Sequence, residues 1–210
     1  MNERCINSLQ QDILVKIIRG EVDSLVAGPS NPTNLPDEVL DTCTPIMVIR
    51  HPAMQTSSVY QSMADMTQCR PGDEDFETAT TLRLSRALYD FLCSRGKTPI
   101  VVDAEDMLWR TQDLATNICG ALNIDAKGIT DKWDPVPIEK WPANPVLLAW
   151  TEVIWKSSGI ERPTTKPAEP TADAYYKTWV VKYGVEVAEQ LKGLVQKNMP
   201  HYEYLKRFKV

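Results

Sequence analysis

Apolar residues near the start of the chain recur every three or four positions: Ile6, Leu9, Ile13 and Ile17, with Leu14 and Ile18 beside them, up to Gly20. That spacing predicts a first amphipathic helix stopped by a glycine. Residues 28–36, Gly-Pro-Ser-Asn-Pro-Thr-Asn-Leu-Pro, are dense in turn formers and predict a loop. Next comes Pro45-Ile46-Met47-Val48-Ile49, a short unbroken apolar run of the kind shown by a strand buried on both faces. It ends at Arg50-His51-Pro52, and Gln55 to Met66 reads as a helix. An acidic, flexible connection from Arg70 to Glu77 then opens into a helix with Leu84, Leu88, Phe91 and Leu92 on one face, closed by Arg95 and Gly96. A second buried strand is predicted over Pro99 to Asp103, after which Thr111 caps a helix carrying Leu114, Ile118 and Leu122.

Strand, helix, helix, strand, helix, with both strands short and apolar, predicts an α/β fold with a parallel sheet covered by helices. Beyond Ile129 the strands stop and aromatic residues accumulate, among them Trp133, Trp141, Trp150, Trp155, Tyr175, Tyr176, Trp179 and Tyr183. Asn144-Pro145 starts a helix and Gly159 stops it; Glu161 to Thr171, with three prolines, is a loop. A last helical region runs from Ala172 to about Asn198, with Gly184 breaking it. The aromatic rings read as core and lid packing or as a wall for a flat ligand. The whole reads as a single domain over residues 1–210: an N-terminal helix and linker to residue 30, an α/β core over 31–128, and a helical part over 129–210.

Composition narrows the function classes. A chain of 210 residues with net charge −5 and no concentration of Lys and Arg is a poor nucleic-acid binder. The polar N-terminus offers no secretory leader, and no apolar run suits a membrane span, so a soluble, cytoplasmic protein is expected. Five cysteines without a C-x-x-C pair, and only two histidines, argue against a zinc site or a disulfide framework. The cysteines are expected to be reduced, with Cys93 and Cys119 packing as small apolar residues in helices.

Ligands of open α/β sheets bind beyond the carboxyl ends of the strands, and Arg50 stands at such an end. Its guanidinium can grip a phosphate, and Ser58, eight residues on, can return a hydroxyl to the same place. Alternatively Arg50 pairs with Asp103 or Glu105. His51 is a weak candidate for a general base, or it bonds the backbone of its own turn. His201 reads as a solvated surface residue, and Glu105 and Asp106 as a base or, the favoured reading, as charges stabilised in a helix's first turn.

Ile46-Met47-Val48-Ile49-Arg50-His51-Pro52 followed by Ser58-Val59-Tyr60 resembles the strand-loop-helix of sulfotransferases. Ile100-Val101-Val102-Asp103-Ala104-Glu105-Asp106-Met107 is similar to that family's strand ending in Glu-Asp before its next helix. Segments 31–38 and 199–205 resemble a fungal branch active in secondary metabolism, so the likeness runs from about Asn31 onward. It implies a P-loop-type α/β fold, a role in small-molecule biosynthesis, and a 3′-phosphoadenosine 5′-phosphosulfate site in which Arg50 and Ser58 hold the 3′-phosphate. A small-molecule metabolite is the implied partner, with no nucleic acid, no membrane and no metal.

The sequence contains no G-x-x-x-x-G-K and no G-x-G, so the phosphate loop that cradles the 5′-phosphosulfate is expected to be missing together with the strand before it. Sulfuryl transfer is then doubtful. The alternative is a non-catalytic remnant that binds a ligand or a partner chain. One sheet edge is expected to be bare, inviting self-association or cover by the N-terminal helix.

Overall fold

A computed structural model describes residues 29–67, 69–162, 164 and 169–210; the predicted N-terminal helix lies outside these residues. The elements in chain order are α1 (Asp37–Thr42), β1 (Ile46–Ile49), α2 (Pro52–Thr67), α3 (Glu74–Thr80), α4 (Arg83–Ser94), β2 (Ile100–Asp103), α5 (Ala104–Trp109), α6 (Thr111–Leu122), α7 (Pro145–Lys156), α8 (Ala172–Tyr183) and α9 (Val185–Lys206). The chain is thus mixed α/β with a small parallel sheet, in which Ile46 faces Ile100 and Ile49 faces Asp103.

The two faces of that sheet differ. On one, Ile49 and Val101 pack against Tyr202 and Leu205 of α9. On the other, Ile100 and Val102 are covered by Leu114 of α6, with Ile118 and Leu122 alongside. Yet Ile46 and Val48, their in-register neighbours, are 47% and 59% exposed. The expectation of helices covering both faces therefore fails at β1, because an apolar run says only that burial is favourable and α6 reaches no further than β2. The outer edge of β2 is closed by the C-terminus: Lys209 bridges Val101, and Val210 N–H donates to the Val101 carbonyl. No described strand pairs with the outer edge of β1.

The largest core cluster joins α2, α3, α8 and α9 through Ala53, Val59, Phe76, Trp179, Leu191, Leu194 and Val195. Phe76 is fully buried in α3, where the sequence predicts a flexible acidic connection. Acidic residues in the first turn suit a helix N-terminus, and one buried ring is enough to pin the segment. Asp103 accepts the Glu105 N–H and so caps α5, a short helix that holds Glu105 and Asp106 in its first turn. Thr111, the predicted cap of α6, instead donates to the Met107 carbonyl.

Gly184 has φ +87° and ψ 165°, a conformation open almost only to glycine, and it separates α8 from α9 where predicted. Helix α9 then runs past Asn198 and through Pro200 to Lys206. An interior proline costs about 3 kcal/mol. Fully burying Tyr202 and Leu205 beyond it contributes roughly 1.5–3 kcal/mol each, which offsets that cost. No disulfide joins the described cysteines; Cys119 is buried as expected whereas Cys93 is exposed, on the solvent side of α4. Among the described residues no helix is long and apolar enough to cross a membrane.

Candidate functional site

Arg50 follows the last residue of β1, and strand alternation sets it on the side of Ile46 and Val48, away from α9. It is half-buried and makes no ion pair or hydrogen bond with any described residue. The alternative pairing with Asp103 or Glu105 is therefore not formed: Asp103 takes the Tyr202 hydroxyl and the Glu105 N–H. Ser58 lies exposed in α2, whose Ala53, Thr56 and Val59 turn inward at helical spacing. Arg50 thus pairs with no described residue and Ser58 faces solvent; neither lines the cavity that opens beside His51.

His51 starts the opposite side of the same turn. It is 4% exposed, and its Nδ1 accepts the Ala53 N–H at 3.2 Å. Burial, joined by the charge of Lys206, holds the imidazole below its ordinary pKa. The ring is therefore neutral near pH 7, with its proton on Nε2, and the lone pair that a general base would use is engaged by the backbone.

Beside His51 a cavity of about 290 Å³ opens at the carboxyl ends of β1 and β2. Asp103 from β2, Glu105 and Asp106 from the first turn of α5, Tyr175 from α8, and Tyr202 and Lys206 from α9 line it. In its wall the Tyr202 hydroxyl donates to Asp103 Oδ2 at 2.7 Å, both residues being 2% exposed. Burial and that carboxylate push the phenol well above its ordinary pKa, so it stays a donor across the physiological range. The His51 ring meets Tyr202 edge-on at 5.2 Å. Asp106 is held by Lys209 at 2.7 Å, whereas Glu105 Oε1 is buried without a hydrogen-bond partner.

The aromatic residues divide between the two roles that the sequence left open. Trp179 is core, 1% exposed, with its indole N–H on Ser57 Oγ at 3.1 Å. Trp133 and Trp141 bond Ser157 Oγ and the Val136 carbonyl within the 129–160 segment. Tyr175 and Tyr202 are the tyrosines that line the cavity among the described residues. Tyr202 and Asp103 are 99 positions apart, in separate segments with no local signal joining them, so sequence reasoning missed the pair. His201, expected in solvent, is instead half-buried, its Nδ1 is unpartnered, and burial lowers its pKa. It borders a separate cavity with Glu77, Arg83 and Asn198. Among the described residues no group of His, Cys, Asp and Glu side chains is arranged to hold a metal ion.

No protein-family model matches the sequence, and no solved structure matches it. In an alignment of 190 positions that covers 84% of the chain, it is 31% identical to a protein named sulfotransferase ppzF from Metarhizium majus (strain ARSEF 297), of which 55% is covered. It is 29% identical over the same length and shares to sulfotransferase ppzF from Metarhizium rileyi (strain RCEF 4871). The chain is sulfotransferase-like in sequence, and it spans about half the length of these curated relatives.

Proposed function

We propose that this chain is a sulfotransferase-like protein of fungal secondary metabolism, working in the biosynthesis of a small molecule, in which Arg50 and Ser58 hold the 3′-phosphate of 3′-phosphoadenosine 5′-phosphosulfate. The observation that carries the reading is Arg50: a half-buried arginine with no carboxylate partner among the described residues, at the carboxyl end of a parallel strand, in a chain similar to proteins named sulfotransferase. A buried cation is ordinarily paired, so an unpaired one at a strand end fits an anionic ligand. The fork of Arg50 supplies two charge-assisted hydrogen bonds and Ser58 a neutral one. When bound, the nucleotide supplies the sulfuryl group; these residues bind and orient it by the opposite end. The alternative of a non-catalytic binding protein draws support from His51, whose lone pair is taken by the backbone.

Calorimetric titration tests the reading. Residues 1–210 should bind 3′-phosphoadenosine 5′-phosphate in preference to adenosine 5′-phosphate. A hydrogen bond to a charged group contributes roughly 1.5–3 kcal/mol, so Arg50→Ala should weaken binding by about tenfold to a hundredfold. Ser58→Ala should weaken it severalfold, for about 1 kcal/mol. Equal affinity for the two nucleotides, or an Arg50→Ala protein that binds as tightly as wild type, removes the nucleotide from this site.

A further inference from the structure

We propose that the cavity beside His51 binds a small hydroxylated amine, whose ammonium is held by Glu105 with Asp103 beside it and whose hydroxyl accepts the His51 Nε2–H. The charges of the cavity wall do not cancel. Lys206 pairs with Glu169 at 3.2 Å and Lys209 with Asp106 at 2.7 Å, so both lysines of the wall are taken. Asp103 receives only neutral donors, the Tyr202 hydroxyl and the Glu105 N–H. Glu105 Oε1 is buried without a hydrogen-bond partner, and the side chain forms no ion pair with a described residue. Two carboxylates thus share one wall without a countercharge. Charge withdrawn from water is costly unless paired, and an ammonium, with three donors, serves more than one carboxylate oxygen. Among the described residues no group is arranged to hold a metal ion, which turns the reading to an organic cation.

His51 supplies the second, independent observation. It is 4% exposed and lines the cavity, and because its Nδ1 accepts the Ala53 N–H, the ring proton is on Nε2. That N–H donates to no described group. A donor so deeply buried is ordinarily satisfied, and a hydroxyl oxygen satisfies it without adding charge. Carboxylates at one place and a lone donor at another therefore suit a molecule with an ammonium and a neutral acceptor. The rings of Tyr175 and Tyr202 offer apolar faces that also attract cations. At about 290 Å³ the cavity lies at the lower end of the roughly 300–1,000 Å³ usual for small-molecule sites, which suits one ring with short arms. Arg50 and Ser58 line no part of it, so the inference is independent of the nucleotide reading.

Titration of residues 1–210 followed by amide NMR, with no nucleotide present, decides it. The probe is 4-(aminomethyl)benzyl alcohol, which carries both groups on one ring and should bind with a Kd on the order of a millimolar. The signals of Glu105, Tyr175 and Tyr202 should move, while those of Gly72 and Glu77, at the other cavity, stay. Replacing the ammonium by a hydroxyl, in 1,4-benzenedimethanol, should weaken binding at least about tenfold, the lower bound for a hydrogen bond to a charged group. Replacing the hydroxymethyl by a methyl, in 4-methylbenzylamine, should weaken it about threefold to tenfold. Glu105→Gln should bring the probe to within about threefold of the diol's affinity, whereas Glu186→Gln, which removes the same charge from the exposed start of α9, should change nothing. The comparison of the three compounds on wild type needs no variant and stands even if Glu105→Gln fails to fold. Equal affinity for the probe and the diol overturns the proposal, as does a folded Glu105→Gln protein that binds the probe as tightly as wild type. Shifts at Gly72 and Glu77 in place of Glu105 and Tyr175, or no shift at about ten times the expected Kd, also overturn it.

Discussion

Removing the Tyr202 hydroxyl tests the wall of the cavity. Tyr202→Phe keeps the ring in its cluster with Ile49, Val101 and Leu205 and deletes only the donor to Asp103 Oδ2. The carboxylate, 2% exposed, is left with the Glu105 N–H alone on its other oxygen. Losing a hydrogen bond to a buried charge costs roughly 1.5–3 kcal/mol. The adjoining cavity of about 290 Å³ has room for a water to replace the phenol, which places the loss toward the lower end, at about 2 kcal/mol. For a chain of this size that is a fall in melting midpoint of about 4–8 °C. The phenol's folded pKa lies above its unfolded value near 10, so its contribution is complete below about pH 10 and lost as the pH rises further. Thermal unfolding followed by circular dichroism from pH 7 to 11 should show the wild type losing stability above pH 10 more steeply than Tyr202→Phe. A midpoint shift below about 2 °C at pH 7, with parallel alkaline limbs, would mean that the bond contributes nothing and that Asp103 is solvated through the cavity.

Asn198 accepts the Leu82 N–H and donates to the Leu194 carbonyl while buried, so Asn198→Ala should cost about 1–3 kcal/mol in urea unfolding. Because burial depresses the His51 pKa, the native state favours the neutral ring; its stability contribution is present above about pH 6.5 and is lost as the pH falls below that, and His51→Asn should flatten this acid limb of a stability profile. With the donor nucleotide and a panel of phenols and alcohols, residues 1–210 should form no sulfated product above background, because the sequence offers no Gly-rich cradle for the phosphosulfate; a product abolished by heating the protein would refute this.

What the sequence shows and what it hides separate along physical lines. Both strands, α4, α6, α7 and the break at Gly184 follow from local period, caps and turn chemistry, which the chain carries in adjacent residues. Helix α3 is invisible because its identity rests on one ring, Phe76, among acids that look like a solvated linker. The end of α9 is misread for a similar reason: Pro200 is a strong local stop, and only the distant cluster that takes up Tyr202 and Leu205 overrules it. At the candidate site, Arg50 and Ser58 are proposed from one short local run of the sequence. The Tyr202–Asp103 bond is a product of packing between remote segments, for which a single sequence holds no local signal.

Helix α9 is the shared wall of the structure, contributing Leu191, Leu194 and Val195 to one cluster and Tyr202 and Leu205 to the other. Its ties run back about a hundred positions: Asn198 to Leu82, Tyr202 to Asp103, Lys197 to Glu77. During synthesis, therefore, the strands and α2 through α4 emerge from the ribosome long before their main packing surface exists. Until residues 185–206 are made, the inner sides of β1 and β2 have nothing to close against, and the nascent chain must be kept from associating through them. Folding of this region is thus timed by the synthesis of residues 185–206, and a chain stopped before α9 would lack both clusters that the helix completes, the one around Phe76 and Trp179 and the one around Ile49 and Val101, however complete its motifs.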